Sequence, residues 1–241
     1  MMRFPLRLTA KLAKTRIARI WSTPQSAPLI EFIDATEVLH VGSTRPVSHQ
    51  KMQGMIASSA PVVWIGGTEP LNHPGIAHFV LANALSGHFV FLETNGTLLR
   101  RRIHEFQPLP GVFLTVRMDA RRAPAFELAV EGIRAARLSG FFTVVHSVVG
   151  EDMAKGELNG LSAFLSELQV DGWLITVASP GDEAIRKAGE ARSLIPSWSW
   201  RRFSEHVERM LLSSAKARKP VPDSLAKNPL VEDCEESIRV A

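Results

Sequence analysis

The chain is poor in the residues that crosslink a protein or bind soft metals. Its 241 residues include one cysteine, Cys234. No intramolecular disulfide can form, nor any zinc or iron–sulfur site built on several thiolates of this chain. That usage fits a reducing compartment, so the expected location is cytoplasmic. No apolar run reaches the ~18 residues of a membrane-spanning helix, and no secretory apolar region follows the start. There is no internal repeat and no low-complexity tract. Tyrosine is absent. The basic run Arg100-Arg101-Arg102 therefore has no interleaved aromatics for base stacking, which argues against nucleic acid and reads as a solvated helix face. What remains is 45% hydrophobic and 22% charged, with 16 Gly and 15 Pro. That composition excludes a collagen, a mucin stalk and a wholly disordered chain. A chain of this length buries roughly 70% of its unfolded surface and holds a core without staples.

Acid is missing from the first thirty residues. Arg3, Arg7, Lys11, Lys14, Arg16 and Arg19 precede Glu31. The whole chain carries 28 basic and 24 acidic residues, so its net charge of +4 is the sum of +6 in this arm and −2 in the remainder. Leu6, Leu8, Leu12, Ile17 and Ile20 give residues 1–27 an irregular apolar stripe. The stripe predicts a basic helix packed on the domain with a solvated face. The same helix could instead contact an anionic membrane surface or a protein partner, which would make the location membrane-peripheral.

Residues 28–212 alternate short β-rich runs with helical stretches. Strands are expected at 29–35, 61–65, 89–92, 111–116, 141–145 and 173–177. Helices are expected at 49–59, 76–85, 97–106, 123–138 and 158–168, with a last one rich in Trp and Arg at 198–212. The strands are apolar on both faces, as in a buried parallel sheet. After Ser179 the alternation ends. Residues 213–241 read as a Pro-rich polar tail. Six strands with right-handed crossovers give either a doubly wound sheet or a partial barrel.

In parallel α/β folds the working groups follow the carboxyl ends of the strands. Those positions hold Thr36, Glu37, His40 and Ser43 after the first strand, and Gly66-Gly67-Thr68-Glu69-Pro70 after the second. The third is followed by Glu93-Thr94-Asn95-Gly96, the fourth by Arg117-Met118-Asp119, the fifth by His146 and Ser147, and the sixth by Ser179-Pro180-Gly181. Paired glycines let a backbone approach a ligand, and a carboxylate beside them can bind an amine. A tight turn with a merely solvated Glu69 explains the same residues, and Asn95-Gly96 is a turn signal in its own right.

The order of these segments carries more than each alone. IGGTEPLNHPGI, LETNGTLL, a strand ending TVRMDA, and a helix leading into RLSGFFTVVHSVV resemble the radical S-adenosylmethionine (SAM) superfamily over residues 28–179. The resemblance implies a partial (β/α)6 barrel flanked by the N-terminal basic helix and the C-terminal helix and tail. It places Gly66, Gly67, Thr68, Glu69, Pro70 and Asn95 at the cofactor, with Gly67, Thr68 and Glu69 where the family binds the methionyl amino group. Thr68 replaces the usual second glycine, and Arg117 stands where a small residue is usual.

One departure is large. The family holds a [4Fe–4S] cluster on a CxxxCxxC loop after the first strand, and here that region reads TEVLHVGSTRPVSHQ. His40, His49 and Cys234 do not make three thiolate ligands, so no cluster and no family-type radical are expected. The expectation is a pseudoenzyme or non-radical member that binds SAM or a related nucleoside, or serves as partner to a true radical SAM enzyme. The alternative is acid–base or metal-assisted catalysis by Glu69, Asp119 and His146, should they converge at the barrel mouth.

Overall fold

A computed structural model describes residues 4–20, 28–40, 43–48, 50, 52, 59–118, 125–177 and 181–217. Its centre is a six-stranded sheet, every pair parallel, formed by β1 (Ile30–Asp34), β4 (Val62–Gly66), β5 (Phe89–Thr94), β6 (Val112–Arg117), β7 (Phe142–Val149) and β8 (Gly172–Val177), in that spatial order. The sheet curls into a half-barrel, as parallel strands of β-branched and aromatic residues with right-handed twist do. Strands β4 and β8 are buried at every position. The helices are α1 (Leu6–Ile20), α2 (Ile76–Leu85), α3 (Leu99–Arg102), α4 (Phe126–Leu138), α5 (Lys155–Leu168), α6 (Asp182–Ser193) and α7 (Trp198–Ala217). Among the described residues no helix is long and apolar enough to cross a membrane.

Local chemistry explains several boundaries. Helix α4 buries Ala129, Val130, Ile133 and Ala136, with Glu127 in its first turn and Arg137 in its last, complementing the helix dipole. Helix α5 starts where the Glu157 carboxylate accepts the Ala154 N–H at 3.2 Å, and stops at Gln169 in the left-handed conformation.

Register sets which side chains share the concave face. Trp64 pairs with Phe91, and Phe91 with Phe113. Their rings stack, with centroids 5.3 and 4.4 Å apart. Helix α7 adds Phe203, stacked on Phe91 at 5.2 Å. Trp200, fully buried on the same helix, lies over Gly172, where a Cβ would come within 2.4 Å of the indole.

Helices α6 and α7 also close the open edge at β8. Ser204 Oγ accepts the Ile175 N–H at 2.9 Å. Arg192 donates to the Ile175 carbonyl from Nε at 3.1 Å and Nη2 at 3.0 Å, and to Glu208 at 2.6 Å. An edge strand with free N–H and C=O groups invites intermolecular pairing, and here both groups of Ile175 are taken.

Three sequence expectations change. After β1, β2 (Thr36–His40) pairs antiparallel with β3 (Ser43–Pro46), where no strand was expected. The helix expected over 97–106 is one turn of α-helix followed by a 3-10 turn at Ile103–Glu105. Helix α6 lies where no element was expected. It is held by Glu183–Arg186–Glu190 pairs and a narrow alanine stripe (Ala184, Ala188, Ala191), which a search for large apolar residues overlooks. Of the helix expected at 49–59, most positions lie outside the described residues.

Candidate functional site at the carboxyl end of the half-barrel

The turn after β4 is built around two residues. Gly67 has φ +113°, and a Cβ there would meet Thr36 Oγ1 at 2.6 Å. That position admits only glycine without strain. The same Thr36 hydroxyl accepts the Thr68 N–H at 2.8 Å, so the first residue of the hairpin holds the glycine turn in place.

Glu69 is buried and its carboxylate is fully committed to the scaffold. It accepts from Leu71 N at 3.0 Å, Thr94 Oγ1 at 2.7 Å and Asn95 N at 2.9 Å. It therefore caps the 3-10 turn that Pro70 opens and locks the β4 turn to the end of β5. Asn95 accepts the N–H and hydroxyl of Thr97 at 2.9 and 2.7 Å, a local Asx turn. His73, also buried, accepts from Gly75 N at Nδ1 (2.9 Å), so Nε2 carries the proton and donates to the Val47 carbonyl at 2.8 Å. Arg102 leaves the expected solvated face. It donates to the carbonyls of Leu71 and His73 and pairs with Glu105 at 2.5 Å. The side chains of Glu69 and Asn95, both expected at the cofactor, thus stabilise the loop, while Gly67 and Thr68 stay exposed. Among the described residues the Gly67 and Thr68 carbonyls accept no backbone hydrogen bond.

A second constellation lies on the concave face above the aromatic stack. Glu93 accepts from Trp64 Nε1 at 2.6 Å and from His146 Nδ1 at 2.9 Å. His146 Nε2 meets Thr176 Oγ1 at 2.8 Å. Arg117 is opposite His146 in register. Burial pushes the Glu93 carboxyl up. The charge and hydrogen bond of His146, the Trp64 N–H and the charge of Arg117 outweigh it and hold Glu93 below the usual carboxylate range. Ionised Glu93 makes Nδ1 of His146 a donor. Nε2 is left to exchange a proton role with the Thr176 hydroxyl, which can rotate to donate or accept.

Glu69 and His146 are not brought together: no hydrogen bond joins them among the described residues, and the carboxylate beside His146 is Glu93. Asp119, His49, Ser179, Pro180 and Cys234 lie outside the described residues, as do the side chains of Glu37, His40 and Ser43. Among the described residues no three His, Cys, Asp or Glu side chains are grouped to hold a metal ion. Trp64 and Thr176 were not singled out from sequence, and Glu93 was named only as a residue after the third strand; the register of the strands puts them beside His146.

No protein-family model matches the chain, and no curated protein matches its sequence. Solved structures do. SuiB from Streptococcus suis, bound to S-adenosylmethionine, superposes with a TM-score of 0.58 at 14% identity, over 78% of this chain and 50% of SuiB. SuiB bound to its precursor peptide SuiA gives 0.55 at 14% identity, over 72% and 43%. With the parallel curled sheet and the motif order, this decides the architecture. The fold is the partial barrel of the radical SAM superfamily. The chain spans about half the length of SuiB.

The donor set can be held against the two groups that this fold implies. A radical SAM cluster needs several thiolates, and the chain has one cysteine; the residues do not fit it. An ammonium group is different. Open carbonyls at an exposed glycine turn suit it, and Gly67 and Thr68 present them.

Proposed function

We propose that this chain is a non-radical member of the radical SAM fold that holds S-adenosylmethionine or a related nucleoside at the β4 turn. One observation carries the reading: Gly67 and Thr68 are exposed and, among the described residues, their carbonyls accept no backbone hydrogen bond, while Thr36 and Glu69 fix the turn from behind. The Gly67 and Thr68 carbonyls would take the ammonium, and Glu69 acts by positioning them. SAM supplies a sulfonium-activated carbon when bound. Without cluster thiolates its reductive cleavage by the family route has no electron donor in this chain.

The test is a calorimetric titration of SAM, S-adenosylhomocysteine and adenosine into the full chain. Both amino acid-bearing ligands should bind at one site, and adenosine at least tenfold more weakly. Absence of heat with all three would overturn the reading. Glu69→Ala should weaken SAM binding and also lower the melting temperature, since it strips partners from buried donors at about 1–3 kcal/mol each. Gly67→Val should lower both as well, since a Cβ there meets Thr36 Oγ1 at 2.6 Å, so the comparison of ligands on the parent chain decides.

A second reading rests on the Glu93–His146 contact. Here His146 moves a proton at Nε2 and Glu93 orients its ring. Of the Glu69, Asp119 and His146 set expected from sequence, Asp119 lies outside the described residues.

A further inference from the structure

The opposite end of the half-barrel holds a cavity that the β4 turn does not touch. It lies between α1 and α7, beside Leu29, the residue that leads into β1. It is thus at the amino ends of the strands, whereas Gly67, Glu93 and His146 are at the carboxyl ends. Its volume is about 370 Å³, within the range of small-molecule sites.

Its walls divide into two chemistries. Phe4, Leu12, Leu29 and Phe203 form an apolar floor. Leu29 and Phe203 belong to the core, and Phe4 and Leu12 pack against it, so the floor is rigid. Arg16, Arg202 and Arg209 stand on the rim, and among the described residues neither Asp nor Glu lines the cavity. Arg202 leans over the Trp198 ring at 5.2 Å and reaches Glu205 at 3.4 Å. Arg209 donates from Nε to the Glu205 carbonyl at 3.2 Å. Among the described residues neither Arg16 nor Arg209 has a carboxylate partner. Both are solvent-exposed, and their charges give the mouth of the cavity a positive potential that favours an anion; guanidinium forks match carboxylate and phosphate oxygens.

We propose that this cavity binds a single-chain amphipathic anion, with an aliphatic or aromatic body on the Phe4–Leu12–Leu29–Phe203 floor and a carboxylate or phosphate head between Arg16 and Arg209. The volume suits one chain and not the two of a bilayer phospholipid. A free amphiphile and a lysolipid from a membrane share this chemistry. The site stands independently of nucleoside binding at the other end of the sheet.

The experiment titrates decanoate, decyl phosphate and uncharged decanol, below their micelle concentrations, into the full chain by calorimetry. Both anions should saturate at one site, with decanol at least tenfold weaker. Arg16→Ala with Arg209→Ala should weaken the anions at least tenfold and leave decanol unchanged. Ala13→Trp, which fills the cavity from α1, should abolish all binding with the circular dichroism spectrum intact. Should that variant misfold, the decanol comparison on the unaltered chain still decides. No saturable binding, or equal binding by the double variant, overturns the proposal. Phosphatidylcholine vesicles doped with lysophosphatidylglycerol that carry the parent chain in a flotation assay, but not Ala13→Trp, place the source in a membrane; vesicles that carry neither place it in solution.

Discussion

At the scale of single residues, two carboxylates near strand ends do different work. Buried Glu69 is spent on backbone N–H groups and a threonine hydroxyl, whereas half-buried Glu93 faces a ring that can carry charge. That makes Glu93 a pH-sensitive group. Its folded pKa lies below the unfolded value of ~4.3. Its charge therefore stabilises the fold above that unfolded value, and the contribution is lost as pH falls through the lower, folded one. Glu93→Gln should lower stability at pH 7 by about 2 kcal/mol, the worth of a charged hydrogen bond, and flatten the acid limb of the stability–pH curve. Denaturant melts at several pH values check this, and an acid limb of unchanged slope would contradict it.

At the scale of elements, the half-barrel depends on what closes its open side. Ser204 and Arg192 occupy the polar groups of Ile175, and Arg192 carries Glu208 with it. Removing the cation leaves a buried carboxylate unpaired, so Arg192→Ala should cost about 3–5 kcal/mol and expose the β8 edge. Self-association measured by light scattering should rise with it. A variant that stays monomeric and melts like the parent would show that α6 and α7 are dispensable covers. The six strands were legible because each is a short apolar run between turn residues. Helix α6 was not, because it buries alanines and presents charge, and the β2–β3 hairpin was not, because its segment was read against the cluster loop it replaces. The glycine turn was legible in position but not in role. Sequence points Glu69 at a ligand; the three hydrogen bonds point it at the loop. His146 was expected after its strand and lies within β7; its partner depends on register, and only the pairing of β5, β6 and β7 brings Glu93 to it.

At the scale of the molecule, fold and chemistry are separate matters. The curled parallel sheet has the radical SAM architecture, while the sequence holds one cysteine where an iron–sulfur cluster needs several thiolates. Fold alone does not carry function. The proposed nucleoside site therefore works without a cluster. Its most direct test is the affinity for S-adenosylmethionine before and after anaerobic reconstitution with iron and sulfide, with iron determined on the same sample. One-to-one binding of unchanged affinity and no retained iron are expected; a stoichiometric cluster, or no binding in either state, would contradict the proposal.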